Sequence, residues 1–211
     1  RFENDRRHWA EKFETLPAGA SFVDSTAPVS VPSRSASGRT PVEVAEALAK
    51  GVDSLGTTTV TLAIAAFSAF VSRTTGTSDV VLSLPVSGRA SAVLRRSGGM
   101  VSNVVPLVVR VDAAATVSDV IDRVQRELTG ALRRQRYRHE DIRRDAGEMT
   151  NTRGLFGPTV NLMMFDNEIV LGDVRGSYHV LTTGPVEDLS INLYPAPGDG
   201  DELQIDFESN P

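Results

Sequence analysis

The stretch VVLSLPVSGRASAVLRRSGGMVSNVVPLVVRV, Val80 to Val111, sets two apolar runs on either side of a loop made largely of Ser, Gly, Ala and Arg. The runs Val80–Leu84 and Val104–Val111 are continuously apolar, the pattern of strands covered on both faces. Pro106, inside the second run, has no amide hydrogen to give to a ladder, so it should lie at a bulge or on an unpaired edge. A plain hairpin is closed by about two to five residues. This connection is far longer, and the loop is expected to have a use of its own.

Upstream, Thr57 to Arg73 places Val60, Ala63, Ile64, Phe67, Phe70 and Val71 around most of a helix, which predicts a buried one packed on the sheet. In TPVEVAEALAKG, Thr40 reads as N-cap, Pro41 as the first helical residue, Glu43 as the closing member of a capping box and Gly51 as the stop. Residues 18–39, rich in Ser, Ala, Pro and Val, read as a loop or short edge strand. Trp9, Phe13 and Leu16 form the stripe of a surface helix ended by Pro17.

Downstream, Thr116 and Asp119 make a second capping box. Val117, Val120, Ile121, Val124, Leu128, Ala131 and Leu132 then keep helical spacing as far as the cationic RRQRYR. Thr159–Phe165 reads as a strand, and EDLSINLY and DELQIDFE alternate as a hairpin with one wet face. The whole predicts an α/β fold in which a mixed sheet, with Val80–Leu84, Val104–Val111, Thr159–Phe165 and Leu189–Tyr194 together, is packed with helices.

Of 211 residues 40% are hydrophobic and 23% charged, the composition of an ordinary globular protein. Lys and Arg number 22 against 27 Asp and Glu, so no basic field exists to hold a polyanion, and nucleic acid is not expected as a partner. There is no cysteine for disulfide or thiolate chemistry, and three histidines give a zinc site little to draw on. No run approaches the roughly 18 apolar residues of a membrane span, and the first residues do not resemble a signal peptide. The expectation is a cytosolic protein. The chain opens at Arg1 inside a helical pattern and stops directly after a strand-like alternation, so it reads as a piece of something longer.

Catalytic motifs are sparse. No G-x-S-x-G is present, and Ser87 has no histidine near it in sequence. SGRASAV and RSGGM lack the G-K-[ST] of a P-loop, and no G-x-G-x-x-G opens a helix. His139, between Arg138 and Glu140, suits either a general base or a capping group; His179 and His8 are weaker candidates. The arginines at 133, 134, 136, 138, 143 and 144 fit a solvated helix end that complements the macrodipole, or a patch for a phosphate or an acidic partner.

The order of the segments RRHWAEKFETLP, DVVLSLPVSGR, GGMVSNVVPLVVRV, YRHEDIRRDAG, TRGLFGPTVNLMMFD and EDLSINLY resembles the second half of condensation domains of nonribosomal peptide synthetases, over nearly the whole chain. The resemblance implies a single chloramphenicol-acetyltransferase-like lobe, one of two that meet in a V, with residues 1–211 as the C-terminal subdomain. It also implies amide-bond formation between donor and acceptor thioesters, each carried on the phosphopantetheine arm of a carrier protein, in a tunnel between the lobes. Its implied partners are the N-terminal lobe, the carrier proteins and neighbouring synthetase domains; no cofactor is bound covalently.

The family's H-H-x-x-x-D-G motif lies upstream of the matching part, and none of His8, His139 or His179 is followed by that pattern, so no catalytic residue is assigned. By the resemblance, Gly98, Gly99, Met100, Ser102, Asn103, Asn161 and Met163 line the tunnel, the glycines letting backbone approach a thin arm and the asparagines bonding its polar parts. Gly98–Gly99 as a plain turn, and Asn103 as a partner for buried backbone, remain equal alternatives. Arg95 and Arg96 are implied contacts for a carrier protein or the other lobe. Two tests follow: Gly99→Val should block the tunnel sterically if Gly99 does not need a positive φ, and Asn103→Ala should lower turnover more than stability. Where the family commonly has H-Q-D-x-P-F-E, this chain has Arg143 and Arg144 in place of the Pro-Phe pair, so a noncatalytic relative that recruits a tailoring enzyme or carrier protein is the rival reading.

Overall fold

The computed structural model describes residues 2–14, 22, 33–147, 156–164, 169–176, 186–196 and 201–210. In chain order the elements are α1 (Phe2–Glu14), β1 (Arg34–Arg39), α2 (Val42–Leu55), α3 (Thr59–Thr75), β2 (Asp79–Val86), α4 (Ala92–Arg96), β3 (Asn103–Arg110), α5 (Val117–Arg133), α6 (His139–Asp145), β4 (Thr159–Leu162), β5 (Ile169–Leu171), β6 (Val174–Gly176), β7 (Leu189–Pro195) and β8 (Leu203–Ser209). Six strands make one mixed sheet in the order β1-β8-β7-β4-β2-β3, and β5 with β6 form a separate hairpin. The fold is thus α/β with the four expected strands in one sheet. The chain divides into two compact units, Arg1–Asp24 with Ala63–Val160 and Ser25–Leu62 with Asn161–Pro211. Strand β4 runs through the division.

In the first unit β2 and β3 pair antiparallel from Asp79↔Arg110 to Val86↔Asn103. Val80, Val81, Leu82, Val105, Leu107 and Val109 are all completely buried, as continuous apolar runs require. Each such side chain contributes about 1.5–3 kcal/mol of transfer free energy before the entropy of ordering is set against it. Pro106 stands opposite Ser83 in an unbroken register on the edge strand, so of the two expected settings it takes the edge. On its other side β2 meets β4 in parallel at Ser83↔Thr159, and the Ser83 hydroxyl donates to the Gly157 carbonyl at 2.8 Å.

Helix α5 starts at the expected capping box: the Thr116 hydroxyl accepts from the Asp119 amide and the Asp119 carboxylate accepts from the Thr116 amide. Val120, Ile121, Val124 and Ala131 are buried, but Val117 is 65% and Leu132 40% exposed, so the first and last members of the apolar stripe stand at the surface. Helix α3 buries Ile64, Phe67 and Val71 while Phe70 is 54% exposed, which narrows the all-round cover expected of it to one broad face. In α1, Trp9 is buried and Lys12 pairs with Glu127. Leu16, Pro17 and His179 lie outside the described residues.

The second unit corrects three readings. Thr40 is not the N-cap of α2: its hydroxyl accepts from the Leu203 amide at 2.9 Å beside the sheet, and Pro41 occupies the cap with no side-chain hydrogen bond. Nor does Gly51 stop the helix, which runs on to a left-handed Gly56. A Cβ at Gly51 would lie 3.2 Å from the Leu62 side chain, so the glycine marks close approach of α2 and α3. The β7–β8 hairpin was expected to have one wet face, yet Ser190, Asn192 and Glu208 on its polar side are only 8%, 3% and 6% exposed. Of the segment 18–39, the last six residues form β1, exposed along its length and paired antiparallel with β8. Among the described residues no single helix is long and apolar enough to cross a membrane.

Candidate functional site

The connection between β2 and β3 is a built structure. Gly88, just past the end of β2, is buried and adopts φ +64°, where a side chain is strained. A Cβ there would stand 2.0 Å from the Val101 carbonyl oxygen, so the outgoing and returning limbs pass in backbone contact. The Gly88 amide donates to Gln135 Oε1 at 3.1 Å, which ties this crossing to the end of α5.

Arg89 then organises the loop from within. Its Nη1 donates to the carbonyls of Leu94 at 2.6 Å and Ser97 at 2.9 Å, and its Nη2 to that of Gly99 at 2.9 Å. The five donors of a guanidinium suit this task, because they can gather several carbonyls that would otherwise need water. The Ser91 side chain caps α4 by accepting from the Leu94 amide. Sequence reading missed Gly88 and Arg89 as structural centres. The signal was a Gly-Arg pair directly after a buried strand, but its carbonyl partners are invisible without the fold.

Held in this way, the loop presents Val93, 75% exposed, Met100, 88% exposed, and the exposed side chains of Arg95 and Arg96, which have no carboxylate partner among the described residues. No acidic residue occurs between Asp79 and Asp112. Gly98 and Ser102 are also exposed, and Gly99 has φ +86°. The condition on Gly99→Val therefore fails: the substitution would strain the backbone and could not separate steric block from misfolding. Gly98, where an added Cβ would meet open space and φ is not positive, is the cleaner probe. Arg89→Ala is predicted to loosen residues 89–102 selectively, with amide hydrogen exchange in that loop rising by at least tenfold and exchange in β2 and β3 unchanged. Uniform protection in the variant would refute the role given to Arg89.

Asn103, 6% exposed at the start of β3, sits beneath this loop. Its Nδ2 donates to the carbonyls of Gln135 at 2.9 Å and Tyr137 at 2.7 Å, and its Oδ1 accepts from the His139 amide at 2.9 Å. Both donors are occupied by backbone and one oxygen lone pair is left. The asparagine thereby fixes the turn between α5 and α6. Tyr137, 1% exposed, donates to Asp145, which also accepts from Arg6 Nε at 3.0 Å, so α1 is tied to α6. Burial and the Asp145 hydrogen bond push the Tyr137 phenol up to about 12, and the same bond, with Arg6, holds Asp145 below the usual carboxylate range. His139 opens α6 with its ring 4.5 Å from that of Phe156; burial first, and then the charge of Arg143, lower its pKa. Ile142, between the two positions that hold Asp141 and Arg143, is completely buried and supplies the apolar anchor of α6. Arg144 pairs with Asp141 at 2.6 Å.

In the second unit Asn161 and Met163 come together with β7. The Met163 amide donates to the Leu193 carbonyl at 2.8 Å, and Asn161 Nδ2 donates to Asn192 Oδ1 at 3.0 Å. Asn192 escaped sequence reading because alternation alone placed it on a wet face.

A sequence profile of the family described as Condensation domain matches residues 1–210. The chain is 35% identical over 210 residues to the dimodular nonribosomal peptide synthase of Bacillus subtilis (strain 168), and all of it spans 9% of that protein. It is 32% identical over 201 residues to enterobactin synthase component F of Escherichia coli (strain K12), covering 92% of this chain and 15% of that one. The first condensation domain of the calcium-dependent antibiotic synthetase, solved with a substrate analogue, superposes with a TM-score of 0.87 at 35% identity, over 100% of this chain and 46% of that domain. The starter condensation domain of rhizomide synthetase, solved with C8-CoA and Leu-SNAC, gives 0.85 at 31% identity over 100% and 47%. The chain thus spans about half the length of these solved domains, and it belongs to the condensation-domain family of nonribosomal peptide synthetases.

Proposed function

We propose that the chain is the C-terminal part of a condensation domain whose parent joins a donor acyl group to an acceptor amine, both held as carrier-protein phosphopantetheine thioesters. The amine nitrogen attacks the thioester carbonyl, the C–N bond forms as C–S breaks, and the proton lost by the amine ends on the departing sulfur, so that the donor arm leaves as its thiol. The supporting observation is likeness, over the whole of this chain and about half of theirs, to condensation domains solved with a substrate analogue or with an acyl-CoA and an aminoacyl thioester. This chain contains no H-H-x-x-x-D-G. Its part is to shape the tunnel with Gly98, Gly99, Met100, Ser102, Asn103, Asn161 and Met163 and to meet a carrier protein or the other lobe through Arg95 and Arg96. An acidic, apolar-tipped surface is the complement that those arginines, with Val93 and Met100, fit. The lack of cysteine suits a reducing cytoplasm.

Donor- and acceptor-loaded carrier proteins mixed with residues 1–211 alone are predicted to give no dipeptide above background, while the full-length parent gives it. Turnover by the chain alone would move catalysis onto His139 or another group here. A correctly folded but inactive parent would favour the recruitment reading suggested by Arg143 and Arg144.

A further inference from the structure

The arginines that end α5 stand beside the β2–β3 loop. Gln135 Oε1 accepts from the Gly88 amide, Asn103 Nδ2 donates to the carbonyls of Gln135 and Tyr137, and Arg138 Nη1 donates to the Ser102 carbonyl at 3.2 Å. Both limbs of the loop are thus tied to residues 135–138, and the exposed Arg136 and Arg138 lie at the root of the loop that carries Arg95 and Arg96. Residues 80–109 and 128–139 together hold seven arginines and no acidic residue, in a chain whose formal net charge is −5. Arg95, Arg96, Arg133 and Arg136 have no carboxylate partner among the described residues, whereas Arg138 meets Glu140 at 3.6 Å at the border of this surface. Farther along α6, Asp141 is taken by Arg144 and Asp145 by Arg6. Val93 and Met100 stand exposed in the loop, and Leu132 beside Arg133. Permanent faces between parts of one fold are apolar and depleted of charge at their centre, while unpaired surface charge serves a transient encounter, which it steers and orients. Nor does the loop need a permanent neighbour to hold it, because Arg89 gathers the carbonyls of Leu94, Ser97 and Gly99 from within.

We propose that the β2–β3 loop and the α5–α6 turn form one docking surface for a carrier protein, with Arg95, Arg96 and Arg136 meeting acidic side chains of the carrier and Val93 and Met100 making its apolar contact. Docking here rests on the tunnel reading above, since the same loop carries Gly98, Gly99, Met100 and Ser102. It assigns the loop to a carrier protein rather than to the other lobe, and it extends the contact to the end of α5.

The experiment uses the full-length parent and its own carrier proteins, expressed separately in their apo forms, which have the protein surface without the arm. Arg96→Glu and Arg136→Glu are compared with Arg73→Glu, an equal change of charge at an exposed site on α3 that leads into the other end of β2. Affinity is titrated at low and at physiological salt, and thermal stability is measured alongside. Arg96→Glu and Arg136→Glu are each expected to weaken the binding of at least one carrier protein by about fivefold at low salt, and by less at physiological salt. Their melting temperatures should stay within about 2 °C of wild type, and Arg73→Glu should bind as wild type does. Unchanged binding by either loop or turn variant overturns the proposal. So does an equal loss in Arg73→Glu, which would reflect net charge alone, and so does a fall in melting temperature with carrier binding intact, which would seat the other lobe on this surface. Condensation by the wild-type parent from loaded carrier proteins is assayed in the same preparation. A parent that does not condense but binds carriers through these arginines refutes the function and leaves the docking surface, whereas a parent that condenses while both variants bind normally refutes the docking surface alone.

Discussion

Gly88→Ala is expected to lower the melting temperature by about 10 °C, while Gly98→Ala, in the same loop, leaves it within about 2 °C. Two independent penalties act at Gly88. An L-residue at φ +64° carries strain of about 1–3 kcal/mol. The added Cβ also meets the Val101 carbonyl oxygen at 2.0 Å, and that neighbour is backbone, so it cannot swing aside as a side-chain tip would. Separating the limbs would pull the Gly88 amide off Gln135 and disturb the pairing of Val86 with Asn103. A total of about 3–4 kcal/mol, at roughly 2–4 °C per kcal/mol for a chain of this size, gives the stated shift. Gly98 has nothing within 4 Å of a Cβ and no positive φ, so its substitution is predicted to stay within about 0.5 kcal/mol. Equal melting temperatures for the two variants would show that the crossing at Gly88 relaxes freely.

The strands and the long helices were legible in the sequence because their signals are repeated along many residues. Val80–Leu84 became β2 with one residue added before it and two after, Val104–Val111 became β3 shifted back by one residue to Asn103–Arg110, and Thr116 with Asp119 formed the box that their spacing requires. Single-residue signals failed where a distant partner competed for the same group. Thr40 has a capping hydroxyl, but the Leu203 amide, 163 positions away, claims it. Gly51 looked like a terminator, yet its missing side chain makes room for Leu62. The alternation in SINLY correctly placed Ser190 and Asn192 on one face, but alternation says only which residues face together and not whether water reaches them. At the candidate site the reading singled out the loop and Asn103, and of its two alternatives for Asn103 the hydrogen bonds to buried backbone are present. It could not find that Arg89 gathers three carbonyls, because no sequence pattern records which carbonyls a fold leaves unpaired.

Asn103→Ala is expected to cost about 3–5 kcal/mol of stability, which reverses the sequence-based expectation that its effect on folding would be the smaller one. A single neutral hydrogen bond contributes about 0.5–1.5 kcal/mol, but here one side chain serves two carbonyls and one amide of the segment between α5 and α6. Its removal leaves the carbonyls of Gln135 and Tyr137 and the amide of His139 to find water in a buried place, and Tyr137 itself is 1% exposed. Asn103→Asp separates the roles of the two ends of the amide. A carboxylate can still accept from His139, but it turns an oxygen on two carbonyls that had received N–H groups. At neutral pH this variant should therefore be at least as unstable as Asn103→Ala. The carbonyls raise the pKa of the new carboxyl in the folded state, so its protonated form is the stable one; stability should recover as the pH is lowered from 7 to 5, where Asn103→Ala shows no such gain. Denaturant unfolding of the three proteins at both pH values measures this. A cost below about 1 kcal/mol for Asn103→Ala would mean that the turn holds itself. Condensation by the parent carrying Asn103→Ala, assayed at a temperature where it remains folded, then isolates the remaining Oδ1 lone pair. Activity that falls only with the folded fraction leaves Asn103 as a brace, and a further loss gives it a contact with substrate as well.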